Sequence, residues 1–276
     1  HEWAAVGAAR AAYIAGFSAT SNLEAGRTYG IPTMGTAAHS FTLLHDSEED
    51  AFQAQLNTLG VETTLLVDTY DVEAAIRKGV ELTEGRLGAI RLDSGDLPMM
   101  ARQARDLLDD LGATNTRITV TSDLDEWQIA ALRGAPVDGF GVGTSLVTGS
   151  GHPTCGFVYK LVARSESADR EAPMTPVGKK SKGKNTLGGR KFAMRRLGEN
   201  GRAEAEIIGL GAAPVGDGND RHLLVDIVKD GQLVFPGTLE DARTRHRESL
   251  AELPLAALRI SRGDPAIETI ILDGTG

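Results

Sequence analysis

The chain has 276 residues, 41% of them hydrophobic, a formal charge of −9 and one cysteine, Cys155. That apolar content fills one large core or a main core with a satellite; the acidic balance argues against a general grip on nucleic acid or an anionic membrane surface but leaves room for a phosphate-bearing small molecule held by a local cluster of cations. A single thiol rules out an internal disulfide and a cysteine-rich zinc site and fits a reducing, cytoplasmic compartment, and no run approaches the roughly 18 apolar residues that a membrane span needs.

The chain opens on "HEWAAVGAARAAYIAGF", with no initiator methionine, basic leader or cleavable signal. It reads as a helix already under way, and the expectation is a piece of a longer protein whose N-terminal part is missing. Apolar residues at helical spacing predict a helix over 2–15. Ser21 and Glu24 form an S-x-x-E capping box, which predicts a short helix from Ser21 to near Gly30. A rhythm follows: "IPTMGT", "TTLLVDTYD", "LGAIRLDSGD", "TRITVTSD" and "DGFGVGTS" read as strands, with "EEDAFQAQLNTLG", "VEAAIRKGVELTEG", "LPMMARQARDLLDDLG" and "LDEWQIAALRG" as helices between them. The strands are continuous apolar runs, the pattern of strands buried on both faces, and the alternation predicts about five parallel βα units. A complete (β/α)₈ barrel takes about 250 residues by itself, so the α/β fold expected is an irregular or partial barrel. An open doubly wound sheet is the alternative, but it gathers ligand groups at one switch point, whereas every strand here ends in polar residues.

Past residue 156 the texture changes. "FVYKLVARSE" and "HLLVDIVKDGQLVF" read as β, the second as a hairpin about Lys229-Asp230-Gly231. "SKGKNTLGGRK" is basic and loop-like, "AAPVGDGND" is a surface loop, and "LEDARTRHRESLAEL" is a terminal amphipathic helix. The expected division is a βα-barrel region over 1–165 and a basic flap with a smaller β-rich region over 166–276.

In a parallel barrel the active site is built from groups at the C-terminal ends of several strands. The tips here carry Thr36 with His39, Asp68 with Asp71, then Arg91, Asp93, Ser94 and Asp96, then Asp123 with Asp125, then Gly141, Gly143, Thr144 and Ser145. Asp71, Asp96 and Asp125 read first as helix N-caps. Arg91 and Asp93 alternate with Leu92, so both can face one side while Leu92 packs on the other. A guanidinium beside a carboxylate can hold ribose hydroxyls and a phosphate together; the plain alternative is a structural ion pair. "GFGVGTS" lets backbone approach a phosphate, but it lacks the G-x-G-x-x-G spacing and can equally be a tightly packed turn. "GKKSKGKN" fails as a phosphate loop, since Asn185 stands where the hydroxyl belongs. The five lysines from Lys179 to Lys191, with Arg190, form either a flap over a polyphosphate or a solvated loop. No histidine spacing fits zinc, so no metal site is predicted. His39 is a candidate general acid/base or phosphoryl acceptor, or a hydrogen-bonded structural histidine, with His45 next in line. His1, His222 and His246 are scattered.

Taken together, "GFSATSNLEAGRTYGIPTMGTAAHSF", "LLVDTYD", "IRLDSGDL", "TSDLDE", "GFGVGTSLVTGSG" and "KGKNTLGGRK", in this order over residues 1–191, resemble the nicotinate phosphoribosyltransferases. The long first motif carries most of the specificity. The resemblance implies an irregular α/β barrel with a flanking domain and an active site at a homodimer interface. It implies transfer of phosphoribosyl from phosphoribosyl pyrophosphate to nicotinate, giving nicotinate mononucleotide and pyrophosphate for NAD synthesis. ATP hydrolysis is coupled to the reaction through a phosphohistidine. Mg²⁺ accompanies the two polyphosphates, and no tightly bound organic cofactor is implied. Residue by residue, it implies that His39 is the phosphorylated position and that Arg91, Asp93, Ser94 and Asp123 serve the phosphoribosyl group. Gly141, Gly143 and Thr144 would cradle its phosphate, Thr20 and Ser21 would lie beside the pyridine ring, and Lys182, Lys184 and Arg190 would form the polyphosphate flap. The basic and aromatic residues with which the family grips nicotinate fall before the position of His1, so the chain alone is expected to be inactive. The rival readings are a nicotinamide or quinolinate phosphoribosyltransferase, a truncated phosphate-binding module, and a sugar-phosphate isomerase on a barrel.

Overall fold

The computed structural model describes residues 2–152, 154–169, 171–235 and 237–272; His1 lies outside them. The chain divides into two compact units, one running to Tyr13 and over Phe17–Thr154, the other comprising Ile14–Gly16 and the chain from Cys155 onward.

The first unit begins with helices α1 (Glu2–Ile14), α2 (Leu23–Tyr29), α3 (His39–Leu43) and α4 (Glu48–Leu59). Strand and helix then alternate as β1 (Thr64–Leu66), α5 (Val72–Leu82), β2 (Ala89–Leu92), α6 (Leu97–Asp110), β3 (Arg117–Val120), α7 (Glu126–Ala131), β4 (Gly139–Phe140) and α8 (Thr144–Thr148). The strands form one parallel sheet in the order β1-β2-β3-β4, with Leu66 opposite Arg91 and Arg91 opposite Thr119. Leu65, Ile90, Leu92, Ile118 and Val120 are fully buried, as continuous apolar strands require. The apolar stripes of α5 (Ala75, Ile76, Val80) and α6 (Ala101, Ala104, Leu108) join that core. Each Leu or Ile so buried contributes about 1.5–3 kcal/mol. Parallel strands point the same way, so Asp68, Asp93 and Thr121, each just beyond its strand, emerge at one edge of the sheet.

Helix starts follow the cap chemistry. Asp71 accepts from the backbone N–H of Ala74, Asp96 from Met99, and Asp125 from Trp127 and Gln128, so all three are N-caps as the sequence predicts. At α2 the expected Ser21–Glu24 box is corrected: Asn22 is the N-cap, accepting from Ala25 N at 2.9 Å, while Glu24 turns to Arg27 and Thr28. Gly30, at φ 69°, ends this helix where expected. "IPTMGT" is a single bridge, Thr20 with Thr33, rather than a strand, and the strand in "DGFGVGTS" lasts two residues before α8 begins.

The second unit holds β5 (Ala163–Arg164), β6 (Thr175–Pro176), β7 (Lys180–Ser181), β8 (Lys184–Asn185), β9 (Lys191–Leu197), β10 (Ala203–Leu210), β11 (Arg221–His222), β12 (Val228–Lys229), β13 (Gln232–Leu233), α9 (Leu239–Ala251) and β14 (Glu268–Leu272). Its main sheet runs β11-β9-β10-β14 around Met194, Ala205 and Ile207. The expected hairpin at Lys229-Asp230-Gly231 is present as β12 and β13, turned by Asp230 and Gly231 at φ 51° and 76°. The basic segment is not wholly a loop, since β7 and β8 pair within it. "FVYKLVARSE" pairs only at Ala163–Arg164 and otherwise leaves Phe157, Val158, Tyr159 and Leu161 exposed. The amphipathic helix is α9, but it is not the last element: β14 follows and pairs in parallel with β10. Glu252, just past α9, takes Arg221 at 2.5 Å and Arg195 at 3.2 Å. Hydrogen bonding from Arg221 holds its carboxyl below the ordinary value; burial opposes this, and the charges of Arg221 and Arg195 reinforce it.

Candidate active site

The parallel edge of the first unit gathers polar side chains from four stretches of chain. Arg91, at position three of β2, is the hub, with its side chain 17% exposed. Its Nε donates to Thr121 Oγ1 at 2.7 Å, its Nη1 to Thr36 Oγ1 at 2.6 Å and to the Ala37 carbonyl at 3.3 Å, and its Nη2 to Asp93 Oδ1 at 2.6 Å. A guanidinium has five N–H groups; four are used here inside the protein. Arg91 therefore acts first as a strut tying β2 to the loop before α3 and to the tip of β3.

Asp93 Oδ1 receives both Arg91 and the Thr121 hydroxyl, while its other oxygen, Oδ2, lies 3.6 Å from His39 Nε2. Burial pushes the Asp93 carboxyl up, but the hydrogen bonds from Thr121 and Arg91 and the charges of Arg91 and His39 outweigh it and hold the group below its ordinary value. Asp93 is thus a stable anion with one oxygen fixed and one directed at the imidazole.

His39 begins α3. Its Nδ1 lies 3.1 Å from Thr69 Oγ1, and its Nε2 faces two carboxylates, Asp93 Oδ2 at 3.6 Å and Asp68 Oδ1 at 3.8 Å. Asp68 sits just past β1 with its side chain 3% exposed. Its Oδ2 accepts from the Asp93 backbone N–H at 2.8 Å and the Ser94 hydroxyl at 3.1 Å, while its Oδ1 is buried and makes no hydrogen bond. Two carboxylate acceptors on one edge of an imidazole favour the tautomer with its N–H at Nε2. The other histidine in reach of the motif, His45, has its Nδ1 2.8 Å from the Phe41 carbonyl and its ring against Phe41.

Of the residues read from the sequence, His39, Arg91, Asp93 and Ser94 thus converge. Gly141 joins through shape: a Cβ there would overlap the Thr121 methyl group. Among the described hydrogen bonds and ion pairs, none ties Asp123, Gly143 or Thr144 to this cluster. Thr20 organises its own loop, bonding Pro32, Met34 and Asn22, and Ser21 beside it is exposed. Lys182, Lys184 and Arg190 belong to the second unit, where the Arg190 guanidinium lies 4.9 Å from the Phe192 ring. Sequence reasoning passed over Thr121 altogether and left Asp68 as one strand-end carboxylate among several. The available signal was position: both lie at the C-terminal ends of parallel strands flanking β2.

The fold belongs to an α/β class of known structures. It matches human nicotinic acid phosphoribosyltransferase with a TM-score of 0.70 at 24% identity, covering 96% of this chain and 64% of that one. It matches nicotinate-nucleotide pyrophosphorylase from Pyrococcus furiosus with a TM-score of 0.70 at 23% identity, covering 91% and 63%. No family model matches the chain. Sequence likeness is closer: nicotinate phosphoribosyltransferase pncB1 of Mycobacterium tuberculosis is 51% identical over 98% of this chain and 60% of its own length. The nicotinate phosphoribosyltransferase of Bacillus subtilis is 40% identical over 78% of this chain and 45% of its own length. The chain belongs to the nicotinate phosphoribosyltransferase family and spans about 60% of the length of the first of these relatives.

Proposed function

We propose that this chain carries the phosphoribosyl-transfer centre of a nicotinate phosphoribosyltransferase, with Asp93 and His39 as its reacting pair. The observation that carries the reading is the Asp93 carboxylate, held at Oδ1 by Arg91 and Thr121 and directed at His39 Nε2 through Oδ2. Displacing pyrophosphate from C1 of the sugar builds positive charge on the ribose ring and negative charge on the leaving group. An ionised, partly buried carboxylate can bind ribose hydroxyls and favour the cationic ring. Positioning supplies much of the remaining rate, with no covalent nucleophile at C1. An Asp93 carboxylate held ionised suits the hydroxyls of the sugar better than an anionic phosphate. The 5′-phosphate then falls to the backbone around Gly141, Gly143 and Thr144, with Ser94 and Asp123 toward the sugar and Thr20 and Ser21 toward the pyridine.

Phosphoryl transfer from ATP would occur at the His39 imidazole, with Asp68 and Asp93 holding the ring proton and balancing its charge. Among the described residues, no group of three His, Cys, Asp or Glu side chains is arranged to hold a metal. Mg²⁺ would enter with ATP and phosphoribosyl pyrophosphate as their counter-ion, and the chemistry it would supply is charge neutralisation on the leaving pyrophosphate. The sequential order β1-β2-β3-β4 supports one arc of an irregular (β/α) barrel, and the same proposal carries over the family's homodimer and a cytoplasmic setting.

The test is labelling with γ-labelled ATP. In the full-length parent the protein should take up acid-labile phosphate, His39→Ala should take up none, and His45→Ala should label as wild type. Label retained in His39→Ala would remove the pair at the centre of the reading. Turnover with nicotinamide in place of nicotinate would move the substrate assignment.

A further inference from the structure

Thr121 lies one residue beyond β3 and is the only polar side chain among the described residues that bonds both Arg91 and Asp93. Its Oγ1 accepts from Arg91 Nε at 2.7 Å. Its own proton remains free to donate, and of the two acceptors in reach, Asp93 Oδ1 and the Leu92 carbonyl at 3.5 Å, the carboxylate is the nearer and the charged one. The other branch of the side chain is equally committed. A β-branched residue is stiff about χ1, and here Cγ2 occupies the space that a side chain at residue 141 would take. Gly141 is held in place by β4, its N–H bonding the Val120 carbonyl at 2.9 Å. Methyl on glycine and hydroxyl between two charges leave Thr121 one orientation.

We infer that Thr121 is a positioning residue: its hydroxyl braces Arg91 and Asp93 from β3 while its methyl rests on Gly141, and this turns the remaining Asp93 oxygen toward His39. Without the brace, Arg91 Nε loses its acceptor and Asp93 Oδ1 loses one of two donors, so the carboxylate is free to rotate about χ2. The groups that face Asp93 are Arg91 on its own strand, Thr121 from the tip of β3, His39 from α3, and Asp68 from the tip of β1, whose Oδ2 accepts the Asp93 N–H. Thr121 is the uncharged member, so changing it alters alignment without altering net charge. Its glycine neighbour gains a second reason for being glycine, beside the phosphate cradle of the proposed function. The inference rests on that reading only in calling Asp93 and His39 catalytic; the brace itself is a matter of geometry.

The experiment follows the Asp93 side-chain carboxyl by ¹³C NMR through a pH titration of the full chain, and the His39 ring signals in the same samples. Three variants are compared at matched thermal stability. Thr121→Val keeps the shape and removes the hydroxyl; its Asp93 midpoint should move up and its His39 ring signals should shift. Thr121→Ser restores the hydroxyl without the methyl, and its midpoint should return most of the way to wild type. Gly141→Ala keeps Thr121 but pushes on its methyl, and should move Asp93 in the same direction as the valine variant. If Thr121→Val does not fold, the serine and alanine variants decide the matter by themselves: a wild-type Asp93 titration in Gly141→Ala overturns the inference. So does a wild-type titration in a folded Thr121→Val, or a serine variant that behaves like valine. Phosphoribosyl pyrophosphate titrated into the wild-type chain separates the two claims. Absent binding with a displaced Asp93 midpoint in Thr121→Val defeats the functional reading and leaves the brace standing.

Discussion

Ser122 has a φ of 127°, a backbone region that L side chains rarely adopt. It follows Thr121 directly and turns the chain away from β3. Strain of this kind typically costs about 1–3 kcal/mol, so Ser122→Gly should raise stability by roughly 1 kcal/mol, read as a higher melting temperature. Asp68 works in the opposite sense. It accepts the Asp93 N–H and the Ser94 hydroxyl, and Asp68→Ala leaves both without that acceptor; a loss of about 1–3 kcal/mol in chemical denaturation is expected. Arg91, Asp93 and His39 were legible in the sequence because charged or titratable groups at the end of apolar runs stand out. Thr121 was not, since a threonine in "TRITVTSD" looks like any β-branched strand residue. Its role arises only once β3 lies beside β2, which brings it to a carboxylate 28 residues away.

At the level of elements, the parallel strands and their helices were legible because burial on both faces leaves continuous apolar runs and the caps announce each helix. Asp71→Ala, Asp96→Ala and Asp125→Ala should each cost about 1 kcal/mol, seen as a lower unfolding midpoint, without weakening ligand binding. The longest strands, β9 and β10, escaped the sequence reading. Their outward faces are charged and pair across the ladder, Arg195 with Glu206 at 2.6 Å, so "KFAMRRL" and "AEAEIIGL" interleave five ionic positions with nine apolar ones and do not read as continuous apolar runs. The link from α9 to this sheet through Glu252 gives a pH dependence. The folded carboxyl titrates below the ordinary glutamate value of 4.5. Its contribution is therefore fully present above that value and is lost as the pH falls through the lower, folded one. Denaturation followed in the second unit should show stability declining below pH 4.5. Glu252→Gln should be less stable near neutrality and flatter in acid; an identical decline in both proteins would place the dependence elsewhere.

On the scale of the whole chain, the two units meet in sequence at Thr154–Cys155, followed by a stretch to Val162 with no helix or strand among its described residues and with Phe157 and Tyr159 fully open. Chymotrypsin should cut there first; a first cut inside either sheet would contradict the division. The boundary was hard to read because this stretch is as apolar as a strand and differs only in lacking partners. The account's central claim is that separate strand ends of the first unit form one sugar-phosphate site. Isotope-labelled chain titrated with phosphoribosyl pyrophosphate and Mg²⁺ tests it most directly. The account predicts saturable shifts centred on Thr36, His39, Ser94 and Thr121, abolished by Asp93→Ala and kept by Asp71→Ala. Shifts confined to the second unit, or unaffected by Asp93→Ala, would contradict it.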